Sequence, residues 1–378
     1  MSTFPAFADC HSHAFHRALR GRTEASHRVP GRDFWGWRGT MWALANVLDP
    51  DLYYRLARAT FAEKRLAGIG ASVDFHYVHH GPGGVPYDDP NVMSEALIAA
   101  AADVGLRLCL IDACYLRSGF DEEPMSDAQL RFSDKTAERW AERVEELRGK
   151  HPDDEWLVIG AAIHSVRAVA PEDLEYVATA FPDAPIHVHI SEQPAENEAC
   201  LAATGLTPTA LLAENGVWRP GATAVHATNT TPEDIAILGE AGVNVCCCPT
   251  TEAELADGIG PTVALRDAGA RITLGSDSET VIDFFDEART LAMHDRLATG
   301  LRDGWQADQL WRAATTDGYE SLGFAPGDTF QISTSVRTAG ATEPLWAATA
   351  NDVLPPIDPD AVAFDMSAAL DEIWSRVS

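Results

Sequence analysis

The feature that most restricts how this 378-residue chain can fold is a repeated alternation. Eight short, nearly continuous apolar runs, at 5–11, 70–77, 106–115, 156–165, 184–190, 223–228, 244–250 and 272–278, are separated by stretches with helical periodicity. Runs apolar on both faces are what strands of a parallel sheet covered by helices require. The intervening patterns at 92–104, 135–148, 171–180, 232–241 and 283–297 predict helices, some opening on cap signals such as Thr231-Pro232-Glu233-Asp234. Such alternation predicts either a closed parallel barrel or a doubly wound sheet. The ends of the runs favour the barrel. His11, His13, His76, Tyr77, Tyr115, His164, His189, His226 and Asp277 all stand at or just past the C-terminal end of a run. In a closed barrel those ends share one mouth, where sites are built. The expected architecture is an α/β, (β/α)8 TIM-like barrel over 1–325. An irregular extension, 326–378, follows and ends in a helix near 366–377.

Composition narrows the function classes. The formal charge is −29, with Lys64, Lys135 and Lys150 the only lysines. Such a field repels nucleic acid and anionic membrane surfaces. No apolar run reaches membrane-spanning length, and the N-terminus lacks a secretory pattern. Seven cysteines without a CxxC pair predict free thiols and a cytoplasmic chain. Cys246, Cys247 and Cys248 are adjacent, so on a strand they alternate faces and cannot wrap one ion; they read as small core residues.

Four segments carry chemistry. In His11-Ser12-His13 the two imidazoles, two residues apart on an extended chain, face the same side and can reach one ion. His189 ends the fifth run and Glu192 follows three residues later, a metal ligand beside a carboxylate able to take a proton from bound water. His187 shares the face of His189 at a deeper level, where a core or supporting role is expected. His226 ends the sixth run and Asp277 the eighth. Convergence of these groups on one mouth predicts a metal-assisted hydrolytic site.

The set HxH, His, His and Asp on these strands resembles the amidohydrolase superfamily. No lysine ends the fourth run, which reads Ile163-His164-Ser165-Val166-Arg167, and Glu192 follows the fifth. The resemblance is therefore to the mononuclear aminohydrolase branch. It implies that His11, His13, His189 and Asp277 hold one Zn2+ per chain, with Fe2+ or another divalent ion as a substitute. It further implies that Glu192, His226 and Asp277 are catalytic. The segments around His11–Ala18, Phe34–Arg38, Phe75–His80, His164–Val169, His189–Gln193 and Cys248–Ala253 narrow the resemblance to the formimidoylglutamate deiminases. That family's activity is zinc-dependent hydrolysis of N-formimidoyl-L-glutamate to N-formyl-L-glutamate and ammonia, in histidine degradation. The resemblance implies substrate contacts from Arg38, Tyr77, His164 and Arg167, and from His16 where some members carry glutamine. The partner expected is a small anionic amino-acid-derived substrate, with a homodimer as a possible assembly. Another deaminase of the branch, acting on a nucleobase or guanidino compound, and a catalytically silent metal-binding scaffold are the alternatives.

Three departures from the family pattern stand out. Glu279 and Asn229 occupy positions where histidines are expected, and a carboxylate at Glu279 would disfavour an anionic substrate if it faced the site. The accessory β-sandwich usual in the family is expected to be largely missing. The aromatic-rich segment Phe34-Trp35-Gly36-Trp37-Arg38 is expected in a long loop after the first run. It either walls the mouth or packs on the surface, and both readings are open.

Overall fold

The computed structural model describes residues 2–23, 34–121, 123–152 and 154–377. Ten strands are present among them: β1 (Ser2–Pro5), β2 (Phe7–Asp9), β3 (Ile69–His76), β4 (Arg107–Cys114), β5 (Leu157–Ser165), β6 (Ile186–Ile190), β7 (Ala222–His226), β8 (Asn244–Cys247), β9 (Arg271–Leu274) and β10 (Thr329–Ile332). Strands β2 to β9 pair in sequence order, every ladder parallel, to form a nearly closed barrel with flanking helices. All eight expected runs are strands of this barrel. Its strands are buried along almost their whole length, which is why they read as continuous apolar runs.

Local signals set the helices. Pro50 opens the helix Pro50–Leu66, and the Asp49 side chain accepts the Leu52 N–H at 2.8 Å. Thr231 and Asp234 form a reciprocal capping box at the start of Pro232–Ala241, and Gly242 ends that helix in the left-handed region, φ 61°. Helices Val92–Val104, Pro171–Ala180 and Pro232–Ala241 match the expected limits, while the last helix begins at Pro359 rather than near residue 366. No helix among the described residues is long and apolar enough to cross a membrane.

Three expectations need correction. Pro5 belongs not to the first barrel strand but to β1, which pairs antiparallel with β10. The tail is thus less irregular than its composition suggests: among the described residues, a two-stranded sheet stands where the family's sandwich was expected to be reduced. Phe4, Phe7, Phe285, Trp311 and Phe330 stack between that sheet and the barrel floor, with Phe7 and Phe330 centroids 4.9 Å apart. The aromatic-rich segment is a helix, Phe34–Val47, rather than a loop. Residues 24–33 of that connection lie outside the described residues.

Candidate metal-dependent active site

The C-terminal ends of the barrel strands gather the predicted residues in one place. His11 and His13 lie just past β2, His189 ends β6, His226 ends β7, and Asp277 follows β9. His11 Nε2 is 3.0 Å from His189 Nε2 and 3.2 Å from Asp277 Oδ1; His13 Nε2 is 3.5 Å from the same oxygen. Two ligands of a tetrahedral ion at about 2.05 Å stand about 3.3 Å apart, so these separations suit a shared ion.

The tautomers support this. His13 Nδ1 donates to the Phe75 carbonyl and His189 Nδ1 to the His164 carbonyl, both at 2.8 Å. A carbonyl can only accept, so the proton sits on Nδ1 and each Nε2 turns a lone pair inward. Burial, reinforced by neighbouring imidazoles, holds His11, His13 and His189 well below the ordinary histidine range and keeps them neutral. The two inward lone pairs and the Asp277 carboxylate form a donor set that suits a cation. The residues present therefore fit a divalent ion.

Around this cluster the backbone is forced into unusual conformations. Ser191, His226, Ala227 and Asp277 all have φ between 46° and 72°. Non-glycine residues held there store strain, a recurrent feature of functional strand ends. The bends aim side chains inward. His226 Nε2 stands 3.9 Å from Glu192 Oε1 and 3.8 Å from Asp277 Oδ2, while its Nδ1 is 3.4 Å from Glu252 Oε1. Burial disfavours the His226 charge, but Glu192, Glu252 and Asp277 outweigh it and raise the imidazole well above its usual range. Burial pushes the Asp277 carboxyl up to about 8, with His226 opposing. Glu252 also accepts the Cys248 N–H at 2.8 Å, which locks it behind His226.

A cavity opens over the cluster. His13, His189, Glu192, His226 and Asp277 form its floor, and the substrate contacts expected from the resemblance, His16, Arg38, Tyr77, His164 and Arg167, all line it. His16 Nε2 is 3.1 Å from the Tyr77 hydroxyl, and burial lowers its pKa to about 3. Arg167 is held by its Nε at 3.3 Å from Glu196 Oε1. The Arg38 guanidinium lies 4.5 Å over the Trp42 ring and 3.5 Å from the Tyr115 hydroxyl. Helix Phe34–Val47 supplies Phe34, Trp37, Arg38, Met41 and Trp42 to the lining, so the aromatic segment is a wall of the cavity.

Several residues fall elsewhere than expected. His76 does not reach the mouth: it packs outside the barrel against Tyr53, 3.4 Å away, and His79. His187 is buried below the site with neither ring nitrogen partnered among the described residues, in keeping with its deeper position. Glu279 turns away from the cavity and meets Lys64 at 2.8 Å, so it presents no carboxylate to a substrate. Asn229 donates to the Glu192 carbonyl at 2.8 Å and lies 3.2 Å from the Ser191 carbonyl, bracing the Glu192 turn. Sequence reasoning assigned no role to Glu252, Glu196 or Trp42, and named Trp37 only within the segment that walls the mouth or packs on the surface. Only the Cys248-Pro249-Thr250-Thr251-Glu252 motif carried a signal, for Glu252.

Comparison with known proteins agrees with this geometry. Residues 3–327 match the model of the amidohydrolase family. The chain belongs to that family and is a hydrolase acting on carbon–nitrogen bonds other than peptide bonds. It is 33% identical over 330 residues to formimidoylglutamate deiminase of Pseudomonas aeruginosa, covering 85% of this chain and 72% of that one. It is also 28% identical over 365 residues to 8-oxoguanine deaminase of the same organism, covering 91% and 77%. The crystal structure of an amidohydrolase from Brucella melitensis superposes with a TM-score of 0.88 at 28% identity, covering 98% of this chain and 90% of that one. An adenosine deaminase from Xanthomonas campestris with bound zinc shares the fold, with a TM-score of 0.83 at 22% identity over 99% and 86%.

Proposed function

We propose that this chain hydrolyses N-formimidoyl-L-glutamate to N-formyl-L-glutamate and ammonia, with one zinc ion held by His11, His13, His189 and Asp277. The observation that carries the reading is the placing of Arg38 and Arg167 over the histidine cluster, across one cavity, in a chain of formal charge −29. A substrate with two carboxylates accounts for both cations; a nucleobase accounts for neither. This favours the glutamate derivative over the 8-oxoguanine and methylthioadenosine deaminase readings that more distant relatives suggest.

A divalent ion in this cluster supplies Lewis-acid activation of water, lowering its pKa toward about 7. The chain's own groups do the rest. Arg167 offers a planar fork to one carboxylate, with His164 and Tyr77 beside it. Arg38, flattened against Trp42, faces the other. Asp277 Oδ2, 3.8 Å from His226 Nε2, accepts a proton from the attacking water. Glu192 Oε1 relays the protons released by the water to the departing nitrogen, so that the C–N bond breaks with ammonia leaving and the formyl C=O forming. His226, kept protonated by its carboxylate neighbours, donates from Nε2 to the water-derived oxygen on the tetrahedral carbon as that oxygen develops charge.

The test is ammonia release by zinc-loaded protein from formimidoylglutamate, a formimidoyl compound lacking carboxylates, guanidino acids, 8-oxoguanine and methylthioadenosine. Turnover confined to formimidoylglutamate is expected. Preference for a nucleobase would replace this reading with the deaminase alternative.

A further inference from the structure

The barrel has one irregular seam. Its first and last strands, β2 and β9, share no ladder; the isolated bridge Ser12–Asp277 stands in its place. Cys10 N–H donates to the Leu274 carbonyl at 2.8 Å, Asp277 N–H to His11 at 2.9 Å, and His13 N–H to Asp277 at 3.1 Å. The approach is tight: a Cβ on Gly275 would stand 2.7 Å from the His11 carbonyl oxygen, so only glycine fits. Metal ligands sit on both sides of this seam, His11 and His13 on one and Asp277 on the other. Whatever sets the width of the seam therefore sets the spacing of the ligands.

Directly behind it lies Lys64, from helix Pro50–Leu66, with no exposed surface. Its Nζ is 2.7 Å from Asp9 Oδ2, 2.6 Å from Ser12 Oγ, 3.0 Å from Ser72 Oγ and 2.8 Å from Glu279 Oε1. Its three ammonium hydrogens thus serve Asp9, Ser12 and Ser72, while Glu279, from a third segment, is held by charge. Across the seam, Ser276 N–H donates to Asp9 Oδ1 at 3.0 Å, and its hydroxyl lies 2.6 Å from Asp9 Oδ2 and 3.0 Å from Glu279 Oε2. Asp9 and Ser12 bracket His11, while Ser276 and Glu279 bracket Asp277. Resting on the ligand assignment above, we propose that Lys64 is a positioning residue for the metal centre, and that Glu279 serves as its counter-charge rather than as a group of the substrate cavity. Lys64 draws the two ligand-bearing segments together from behind.

The charges agree with this role. Burial disfavours the Lys64 ammonium, but Asp9 and Glu279 outweigh it and raise its pKa, so it stays charged. A buried ammonium needs both carboxylates, and each carboxylate needs the ammonium, so removing one member leaves an uncompensated charge beside a metal ligand. Groups that orient ligands in this way commonly change metal affinity by about 10–100-fold when altered.

The test uses the full chain. Glu279→Gln keeps the shape and removes the charge; Lys64→Met keeps most of the length and removes the cation. Zinc affinity is measured by competition with a chromogenic chelator at a temperature where circular dichroism shows each variant folded, alongside melting of the zinc-free proteins. Both variants are expected to bind zinc about 10–100-fold more weakly, with KM at saturating zinc unchanged. Parent-like zinc affinity in folded Glu279→Gln overturns the proposal, even if the zinc-free protein melts earlier, because that is the signature of a structural role alone. A raised KM with unchanged zinc affinity also overturns it, by placing Glu279 against the substrate. If Lys64→Met does not fold, the near-isosteric Glu279→Gln decides. A parent protein that takes up no zinc defeats the ligand assignment and this proposal together. A parent that binds zinc but does not turn over formimidoylglutamate defeats only the substrate reading.

Discussion

Replacing Arg167 by methionine is the sharpest probe of how the cavity recognises its substrate. The Arg167 side chain is only 14% exposed and is tied through Nε to Glu196, which leaves its two terminal nitrogens without a protein partner among the described residues. A bidentate contact from those nitrogens to a carboxylate comprises two charge-assisted hydrogen bonds, each worth about 1.5–3 kcal/mol. Losing both is about 3–6 kcal/mol, or about 10²–10⁴-fold at about 1.4 kcal/mol per decade. The change also leaves Glu196, 2% exposed, uncompensated beside the substrate carboxylate, so the upper part of that range is expected. Arg167→Lys keeps the charge but loses the planar fork. It should forfeit one bond, about 1.5–3 kcal/mol, and cost about 10–10²-fold. The loss should fall on KM for formimidoylglutamate, since a guanidinium that clamps a remote carboxylate would hold it equally in ground and transition states. Zinc content should be unchanged, because Arg167 is no ligand. The assay is steady-state ammonia release with elemental analysis of the same preparations. An unchanged KM in Arg167→Met, or an equal rise for a formimidoyl compound without carboxylates, would refute the clamp.

Three further outcomes are expected. Glu192→Gln should lower turnover by about 10²–10⁴-fold, the usual contribution of a general acid–base group, while zinc stays bound; near-normal turnover would move the proton carrier to Asp277. His189→Ala should lose most of the bound metal, expected at one ion per chain in the parent, and two ions per chain by elemental analysis would defeat the mononuclear assignment. His187 should make the fold acid-sensitive. Burial lowers its pKa to about 3, so it is neutral in the folded chain, while the unfolded chain protonates it below about 6.5. Its effect is nil at pH 7, and stability is lost as pH falls from about 6.5 toward 3, to a limit of about 5 kcal/mol. His187→Leu should flatten that acid limb in urea titrations; an unaltered limb would assign the sensitivity to other groups.

How much of this was legible beforehand depended on the range of the interactions involved. The eight strands could be read because burial on both faces of a parallel strand writes itself into consecutive residues, and Thr231-Pro232-Glu233-Asp234 carries its own cap. The candidate metal cluster was legible for a related reason. A strand end is recognisable locally, and barrel closure brings all strand ends to one mouth. Thus His11, His13, His189, His226 and Asp277 could be grouped without coordinates. The helix Phe34–Val47 was read as a loop because Gly36, Gly39 and three tryptophans blur its helical period; packing over the mouth decides its form.

What only the tertiary structure decided is the pairing of groups distant in sequence. Glu279 looked like a misplaced carboxylate, and its meaning depends on Lys64, 215 positions earlier, a partner that no local pattern announces. His76 looked like a mouth residue because it ends a strand, yet successive side chains on a strand alternate faces, and only the barrel's curvature shows which face is inside. Sequence by itself determined which residues could do the chemistry, since periodicity and strand-end position are local properties. The closure of β2 against β9 determined which of them touch, since contact, burial and charge compensation are properties of the packed chain.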